Sequence, residues 1–282
     1  MILITGSKGQ LGIDLQKFLK KNSINFLAKS KKQLDITKII NNTELKKYSD
    51  IKIIINLAAY TSVDQAETDK KRCYDVNVLG TKNLIKLSND INATLIHIST
   101  DYVFNGKSNH QYKESDKRKP INYYGYCKKL AEDHILKQCK KYYIIRTSWV
   151  FSNNKNNFIN FIKSNLKHNK VSLIQDQYGN PTSTLSICEM LIKLIKFLNS
   201  SPKKKYGVYH FCNYPKTNWF EFRSYYIINV LKLKKINIIK IKGSDLNLNA
   251  KRPYKSFLNS NKLSKLLKLK KYDWRFELKK LK

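Results

Sequence analysis

Acidic residues are scarce in this chain, and long apolar runs are absent. The 282 residues include 20 Asp and Glu against 55 Lys and Arg. No stretch of about eighteen consecutive apolar residues occurs, so no membrane span is predicted. The first residues, MILITGS, enter an apolar run without the basic segment that opens a secretory signal peptide. These absences predict a cytoplasmic globular protein, long enough for one large domain or for a large and a small one.

Cysteine and histidine are also sparse, and neither shows a metal-binding pattern. The five cysteines are scattered, and none forms a Cys-x-x-Cys pair. The five histidines show no metal-ligand spacing, and His97, inside an apolar stretch, is interpreted as a core residue. The sequence therefore predicts reduced thiols and no metal ligand, instead of a disulfide framework or a zinc site.

Arginine is rare among the many basic residues. Only six of the 55 are Arg, and Lys, Asn and Ile are abundant along the whole chain. Surfaces that bind nucleic-acid phosphates usually use Arg as well as Lys. Codons rich in A and T explain the joint excess of Lys, Asn and Ile more simply. We therefore predict no specific nucleic-acid partner despite the formal net charge of +35, although a small anionic substrate would be attracted.

The first half of the chain alternates between strand-like and helix-like stretches. Strands are predicted where apolar residues run nearly unbroken, and helices where they recur on one face. The predicted strands cover 2–5, 24–30, 51–59, 93–100 and 142–151, and the predicted helices cover 9–21, 77–89 and 123–139. This alternation predicts an α/β fold with a doubly wound, Rossmann-type parallel sheet.

The second half is less regular and mixes both kinds of element. Helices are predicted at 153–170, 184–199 and 218–231, and strands at 171–177 and 207–213. We expect a dinucleotide-binding domain over 1–150 and a smaller, mainly substrate-binding α/β region over 151–282. Segments near 176–212 are expected to return to the first domain.

Three glycines follow the first predicted strand at a spacing of three. Gly6, Gly9 and Gly12 lie between that strand and the first predicted helix. A bare Gly-x-x-Gly-x-x-Gly is weak evidence and could mark only a tight loop. At the first strand-to-helix turn, however, glycine lets the backbone approach a pyrophosphate, and the helix N-terminus favours its charge. The placement predicts a dinucleotide site.

The end of the second predicted strand bears on the choice of cofactor. NAD sites often carry an acid there, but Ser30, Lys31 and Lys32 hold no carboxylate, and Asp35 follows only later. Basic residues would suit the 2′-phosphate of NADP, although Lys is common everywhere in this chain. We predict NADPH, with NADH also used.

Tyr124 and Lys128 form a Tyr-x-x-x-Lys pair in YYGYCK. Residues four apart share a helix face, and an ammonium beside a phenol lowers its pKa from about 10. Such a phenol can protonate a carbonyl. The pattern is common by chance with 18 tyrosines, but Ser99 and Thr100 end the preceding predicted strand, where ligands bind in parallel sheets. We predict Thr100, Tyr124 and Lys128 as the catalytic group.

Further motifs accompany these, namely GSKGQLG, NLAAYTSVDQAE, NVLGTKNL, STDYVFNG, YYGYCKKLAE, RTSWVF, DQYGNPTS and KRPYKSFLNSNKL. Together they resemble the extended short-chain dehydrogenase/reductase family, most closely its dTDP-4-dehydrorhamnose reductase branch, nearly end to end. The resemblance implies hydride transfer from NADPH or NADH to the C4 ketone of dTDP-4-dehydro-L-rhamnose. The product would be dTDP-L-rhamnose, for cell-envelope polysaccharide.

The resemblance also implies roles for single positions. Tyr124 would protonate the C4 oxygen, and Lys128 would bind the nicotinamide ribose. With the glycine turn and the Ser30 stretch included, the expected cofactor-binding residues are Gly6, Gly9, Gln10, Leu11, Gly12, Ser30, Lys31, Asp35, Ile36, Ala58, Ala59, Thr61, Tyr124 and Lys128. The expected substrate-binding residues are Thr61, Val63, Thr100, Asp101 and Trp149. For Trp149 a place in the core is the alternative.

Acidic residues elsewhere receive plainer interpretations. Asp64, Glu67 and Asp69 look like a solvated helix start, where acids suit the helix dipole. The resemblance implies a magnesium ion at a carboxylate-lined contact of a homodimer. Asp14 and Glu189 match two of its ligands, but no third carboxylate appears, so we assign no metal ligand.

Two other functions stay open on the sequence. The first is another extended short-chain reductase or epimerase, acting on a different nucleotide sugar. The second is a non-catalytic relative of this fold that binds NADP and serves as the regulatory subunit of methionine adenosyltransferase. Thr100, Tyr124 and Lys128 favour catalysis over this second reading.

Overall fold

A six-stranded parallel sheet forms the centre of the protein. In this computed structural model, which describes residues 1–40, 45–154, 162, 170–233 and 235–281, the strand order is β10-β5-β4-β3-β1-β2. The strands of this sheet, in chain order, are β1 (Ile2–Thr5), β2 (Phe26–Lys29), β3 (Ile53–Asn56), β4 (Thr94–Thr100), β5 (Tyr142–Thr147) and β10 (Gly207–His210). The doubly wound Rossmann-type fold expected from the sequence is therefore confirmed.

Helices cover both faces of this sheet and also lie in the smaller region beside it. They are α1 (Gln10–Lys21), α2 (Lys70–Tyr74 and Gly80–Asp90, joined by a π-helical turn at Asp75–Leu79), α3 (Tyr123–Gln138), α4 (Thr184–Ser200), α5 (Trp219–Tyr225, continued by a π-helical turn at Tyr226–Val230), α6 (Asn261–Leu267) and α7 (Trp274–Lys279). Among the described residues, no helix is long and apolar enough to cross a membrane.

The two faces of the sheet carry separate apolar cores. On one face α1 packs against α4, and Leu15 and Leu191 are fully buried there. On the other face, Leu84 of α2 and Ile135 of α3 lie in one buried cluster with Ile54 of β3. Burial on both faces explains why these strands are apolar nearly throughout.

A smaller region beside the sheet contains three strand pairs. They are β6 (Val150–Phe151) with β9 (Thr182–Ser183), β7 (Lys170–Ile174) with β12 (Asn237–Ile241), and β8 (Tyr178–Gly179) with β11 (Thr217–Asn218). Its own apolar core brings together Phe151, Leu173, Phe222, Ile227 and Trp274. The region is joined to the carboxyl end of β5 by β6, which follows β5 directly in the chain.

Several element boundaries differ from the sequence prediction. The stretch predicted as one strand over 142–151 is two strands, because Trp149 takes a positive φ of 46°. That backbone conformation is uncommon for a bulky residue and breaks the extended run. The strand expected over 51–59 covers only Ile53–Asn56. The helix predicted over 153–170 lies almost entirely outside the described residues.

Candidate active site

The glycine turn lies where the strand order reverses. From β1 the chain passes outward to β2 and returns on the other side of β1 as β3, so the carboxyl ends of β1 and β3 flank a crevice. Ligands of open α/β sheets bind in such a crevice. Gly6 has a φ of +68°, and a Cβ there would lie 2.6 Å from the backbone nitrogen of Ala58. A Cβ on Gly12 would lie 2.6 Å from the carbonyl oxygen of Gly6. The two loops therefore touch, and only glycine fits.

Gly9 differs from the other two glycines because its surroundings are open. It is the N-cap of α1 with an ordinary φ of −73°, and no side chain caps the helix there. A Cβ on Gly9 would meet only the carbonyl oxygen of Gly6, at 3.2 Å. Unsatisfied N–H groups at such a helix start can bind a phosphate. The turn therefore fits the pyrophosphate of a dinucleotide.

A cavity of about 400 Å³ opens on the β2 side of the turn. Most of the residues predicted to surround the adenosine half of the cofactor line it, and several that the sequence did not single out, among them Lys8, Tyr60 and Arg72, join them. The lining includes Gly6, Gly9, Ser30, Lys31, Lys32, Asp35, Ile36, Ala58, Ala59, Tyr60 and Arg72. The Ser30 hydroxyl is buried and donates to Gln33 Oε1 at 2.9 Å, whereas Lys31 and Lys32 are exposed.

Asp35 stands in this cavity as an ionised group. Burial acts to raise the pKa of its carboxyl, but hydrogen bonds from the Thr37 hydroxyl and backbone N–H outweigh burial and hold that pKa below its usual value. A 2′-phosphate here would therefore meet Lys31, Lys32 and Arg72 together with one negative charge.

A second cavity of about 430 Å³ adjoins the first and shares Gly6, Gly9, Leu57 and Ala59 with it. It contains the remaining residues predicted for the cofactor and all those predicted for the substrate and for catalysis. Its lining includes Gly6, Gly9, Gln10, Leu11, Gly12, Ala59, Thr61, Val63, Ser99, Thr100, Asp101, Tyr124, Lys128, Ser148, Trp149 and Trp219. The two cavities form one groove across the carboxyl ends of the strands.

Thr100 and Tyr124 are brought together by a close contact between two turns. The Thr100 hydroxyl accepts a hydrogen bond from the backbone of Tyr102 at 3.2 Å and donates to Asp101 Oδ1 at 3.1 Å. A Cβ on Gly125 would lie 2.2 Å from the Tyr102 carbonyl oxygen, so only glycine lets the start of α3 pack against this turn. As a result, the side chains of Thr100 and Tyr124 line the same cavity.

The expected lowering of the Tyr124 pKa by Lys128 does not occur in this geometry. Burial raises the pKa of the Tyr124 phenol, and the hydrogen bond with Thr100 offsets only part of the rise. The Lys128 amine instead lies 2.8 Å from the Ile98 carbonyl oxygen and 2.9 Å from His97 Nε2. Burial lowers the pKa of Lys128 to about 8. His97 is buried as expected, but its contact with Lys128 was not predicted.

Asp101 follows Thr100 at the floor of the second cavity. Its side chain is buried, and its Oδ2 atom makes no hydrogen bond of normal geometry among the described residues, although the Ser256 hydroxyl is near enough to act on the carboxyl. Burial raises the pKa of this carboxyl to about 7. An unpartnered buried oxygen that faces a cavity is suited to bind a hydroxyl group of a ligand.

Comparison with known proteins places these features in one family. The family model described as "RmlD substrate binding domain" matches residues 1–282. The chain belongs to this family. A dTDP-4-dehydrorhamnose reductase of Aggregatibacter actinomycetemcomitans is 34% identical over 284 residues, which cover 99% of this chain and 97% of the relative. The resemblance seen in the sequence is confirmed.

Solved structures agree with this assignment. The dTDP-4-dehydrorhamnose reductase of Bacillus anthracis, in complex with NADP, has a TM-score of 0.90 and 34% identity, covering 99% of this chain and 97% of that one. A Clostridium acetobutylicum dTDP-4-dehydrorhamnose reductase ortholog has a TM-score of 0.89 and 30% identity, covering 99% and 97%.

An aromatic wall closes one side of the second cavity in this RmlD-family chain. Trp149 stacks on Trp219 with ring centroids 3.8 Å apart and an interplanar angle of 10°. A Cβ on Gly179 would lie 2.5 Å from the Trp149 indole, so the backbone of Gly179 packs directly against that ring. Both indoles are half-buried and line the cavity. Trp149 thus forms part of the cavity wall, and Trp219 is a site residue that sequence reasoning missed.

The C-terminal segment of the RmlD-family chain is tied to the loop that carries Val63. Arg252 donates to both carboxylate oxygens of Asp64, at 3.1 and 2.6 Å. Glu67 accepts a hydrogen bond from the Tyr123 backbone at 2.8 Å, at the start of α3. Asp64 and Asp69 do precede short helices, at Gln65–Glu67 and Lys70–Tyr74, and are only partly buried. The carboxylates of Asp64 and Glu67, however, bind other parts of the chain instead of only facing solvent.

Asp14 and Glu189 do not form a metal cluster in the part of the chain that the structure describes, and neither does any other group of three His, Cys, Asp or Glu residues. Asp14 is buried and accepts hydrogen bonds from Thr184 and Asn154, both at 2.6 Å. Glu189 lies 3.7 Å from the Lys270 amine. Magnesium binding and a homodimer stay predictions.

Proposed function

We propose that this protein acts in the cytoplasm, where it reduces the C4 ketone of dTDP-4-dehydro-L-rhamnose with NADPH. The product would be dTDP-L-rhamnose, which is used for cell-envelope polysaccharide. The observation that carries the proposal is the single groove that joins the glycine turn to Thr100, Tyr124 and Lys128. The relatives named dTDP-4-dehydrorhamnose reductase, over nearly the full length of both chains, support the same activity. The five free thiols suit a reducing compartment.

The groove fits a dinucleotide along its whole length. The Gly9 turn and the start of α1 would hold the pyrophosphate with Gln10 and Leu11, and the first cavity would hold the adenosine half. Strands β1–β5, together with β10, would form the cofactor-binding domain, and most of 151–282 would form the substrate-binding region. When bound, NADPH supplies the hydride that the ketone carbon receives.

The residues of the second cavity would supply the proton and position the sugar. Tyr124 would give its phenolic proton to the C4 oxygen, and the Thr100 hydroxyl would hydrogen-bond that oxygen. Lys128 would bind the nicotinamide ribose through its amine. Asp101, with its unpartnered oxygen, would bind a sugar hydroxyl. Thr61, Val63 and Trp149 would line the remaining faces of the sugar.

A substrate panel tests the proposal directly. The purified protein is given dTDP- and UDP-linked 4-keto sugars with NADPH, and loss of the NADPH absorbance is followed. We expect turnover of dTDP-4-dehydro-L-rhamnose. Preference for a UDP sugar would favour another extended reductase. NADPH binding without reduction of any keto sugar would favour the regulatory-subunit function.

Gly9 and Gly12 of the turn should respond differently to substitution. Gly9→Val places a side chain in the open space at the start of α1, so we expect the protein to fold but to lose NADPH affinity by at least about tenfold. Gly12→Ala places a Cβ 2.6 Å from the Gly6 carbonyl oxygen and should destabilise the fold itself. Fluorescence titration with NADPH and urea denaturation separate the two effects. NADPH binding by Gly9→Val at the affinity of the parent would exclude the turn as the pyrophosphate site.

The preference for NADPH over NADH should be mild. Lys31 and Arg72 line the first cavity and favour a 2′-phosphate, but ionised Asp35 lines the same cavity and opposes it. We expect kcat/KM to favour NADPH by less than about tenfold. Lys31→Ala should lower kcat/KM for NADPH but not for NADH, and so bring the ratio of the two values closer to one. Lys86→Ala, on the outer face of α2, is the control. A tenfold preference for NADH in the parent would contradict the expectation.

A further inference from the structure

A chain of four buried polar side chains connects β1 to the active-site helix. Thr5 Oγ1 donates to Asn56 Oδ1 at 2.7 Å, Asn56 Nδ2 lies 3.0 Å from His97 Nδ1, and His97 Nε2 lies 2.9 Å from Lys128 Nζ. Each of the four residues is at most 2% exposed. They lie on three neighbouring strands and α3, so the chain runs across the sheet just under the groove.

The direction of this chain is fixed by a backbone group. The amide N–H of Ala58 lies 3.2 Å from Asn56 Oδ1, and a backbone N–H can only donate. The atom facing Ala58 is therefore the oxygen of the Asn56 amide, and the NH₂ group faces His97. An amide NH₂ can only donate, so His97 Nδ1 must accept.

The position of the proton on His97 then determines which protonation state of Lys128 fits this contact. A ring that accepts at Nδ1 is neutral and carries its one proton on Nε2. This agrees with burial, which holds the pKa of His97 well below its usual value. The Nε2–H group points at Lys128 Nζ. An ammonium has no lone pair for it, whereas an uncharged amine accepts it and still donates to the Ile98 carbonyl oxygen.

The other titratable groups around Lys128 do not reverse this preference for the uncharged amine. Glu132, one turn further along α3, and Cys73 of α2 both favour the ammonium, but burial outweighs them and lowers the pKa of Lys128 to about 8. The Glu132 carboxylate is already paired with Arg146 and Arg118. Asp101 lines the same cavity, and burial favours its neutral form.

We propose that His97 favours the uncharged amine of Lys128 before a cofactor binds, and that the uncharged fraction of Lys128 takes up a proton from solution when NADPH binds. The second half of this inference, proton uptake on NADPH binding, rests on the proposed function. The cofactor phosphates bring negative charge into the groove, which favours the ammonium. Protonation also ends the contact with Nε2–H, because the lone pair is consumed. His97 is thus a positioning residue: it favours the uncharged amine until a cofactor is present, and the protonated Lys128 can then favour the phenolate of Tyr124.

The tautomer of His97 tests the first half without cofactor or substrate. In ¹⁵N-histidine NMR of the ligand-free protein, with the His97 signals assigned through His97→Gln, we expect Nδ1 to be unprotonated and Nε2 to be protonated. A proton on Nδ1 would overturn the proposal, because Nε2 could then accept from an ammonium. This result does not depend on whether the protein turns over any sugar.

Proton uptake tests the second half. NADPH binding is measured by calorimetry near pH 8 in buffers of different ionisation enthalpy. We expect a net uptake of up to about half a proton per site, because an amine with a pKa of about 8 is half uncharged at that pH. Asn56→Asp keeps the shape of the side chain but places a hydrogen-bond acceptor against His97 Nδ1. The His97 proton then lies on Nδ1, so Nε2 accepts from Lys128, which favours the ammonium before NADPH binds. Proton uptake should therefore fall by at least about half. Asp101→Asn is the control for the other group able to take up a proton in this cavity.

The outcomes of these experiments are distinguishable. Uptake that is absent in the parent, or unchanged in Asn56→Asp, would overturn the proposal even if NADPH binds normally. Failure of the parent to bind NADPH would overturn the proposed function and the uptake together, while the NMR result would still decide the tautomer. If Asn56→Asp does not fold, His97→Gln replaces it, since a Gln side chain can turn its oxygen toward the ammonium and should also reduce the uptake.

Discussion

Replacing Tyr124 with phenylalanine should slow the single-turnover reduction of dTDP-4-dehydro-L-rhamnose by roughly 10²–10⁴-fold. This corresponds to about 3–5.5 kcal/mol of activation free energy. The substitution removes one hydroxyl and keeps the ring, so the packing of Tyr124 against Tyr102, with centroids 5.9 Å apart, is retained. Phenylalanine has no proton to give to the C4 oxygen. The affinity for NADPH should weaken only modestly, because the glycine turn and Lys128 are unchanged.

Tyr126→Phe is the matched control for this variant. Tyr126 lies on the same helix, α3, but is 46% exposed and does not line the groove. Its loss of a hydroxyl should leave turnover unchanged. Rapid-mixing measurement of NADPH oxidation, with a cofactor titration for each variant, gives both quantities. Turnover near that of the parent in Tyr124→Phe would exclude Tyr124 as the proton donor.

The parts of the site that depend on local spacing were predictable from the sequence. Gly6 and Gly9 follow β1 directly, and the four-residue spacing of Tyr124 and Lys128 is a property of any helix. The apolar runs revealed that the strands are buried on both faces, and this sufficed to predict the parallel sheet. The resemblance of several motifs to one family supplied Trp149 and Asp101, which carry no local signal of their own.

The residues that were missed are brought to the groove by distant parts of the chain. Arg72 comes from α2 and Trp219 from the start of α5, and nothing near them in sequence indicates a cavity. The link between His97 and Lys128 joins a strand to a helix, so an apolar strand pattern could only suggest a core histidine. The break at Trp149 was hidden because the apolar run continues through it.

A buried ion-pair network beneath the groove has a large expected effect on stability. Glu132 of α3 is fully buried and accepts hydrogen bonds from Arg146 of β5 at 2.7 and 3.0 Å, from Arg118 at 3.0 Å and from the Ser99 hydroxyl at 2.5 Å. Arg146 is itself 1% exposed and also contacts His210 of β10. The network therefore ties α3 to three strands of the sheet. Because Ser99 lines the groove, the network also supports the floor of the active site.

Arg146→Met should lower the free energy of unfolding by about 3–5 kcal/mol, since it removes one partner of a buried pair and leaves the carboxylate of Glu132 short of charge compensation. Arg118 remains, but it is only partly buried and bonds Glu132 with a single nitrogen. Urea denaturation measures the loss. The double variant Glu132→Gln/Arg146→Met removes both charges and should recover part of it, because no uncompensated buried carboxylate remains. Lys86→Met breaks the exposed Lys86–Asp90 pair on α2 and should change stability little. A loss below about 1 kcal/mol in Arg146→Met, or a double variant less stable than the single one, would show that Glu132 does not depend on Arg146 for its burial.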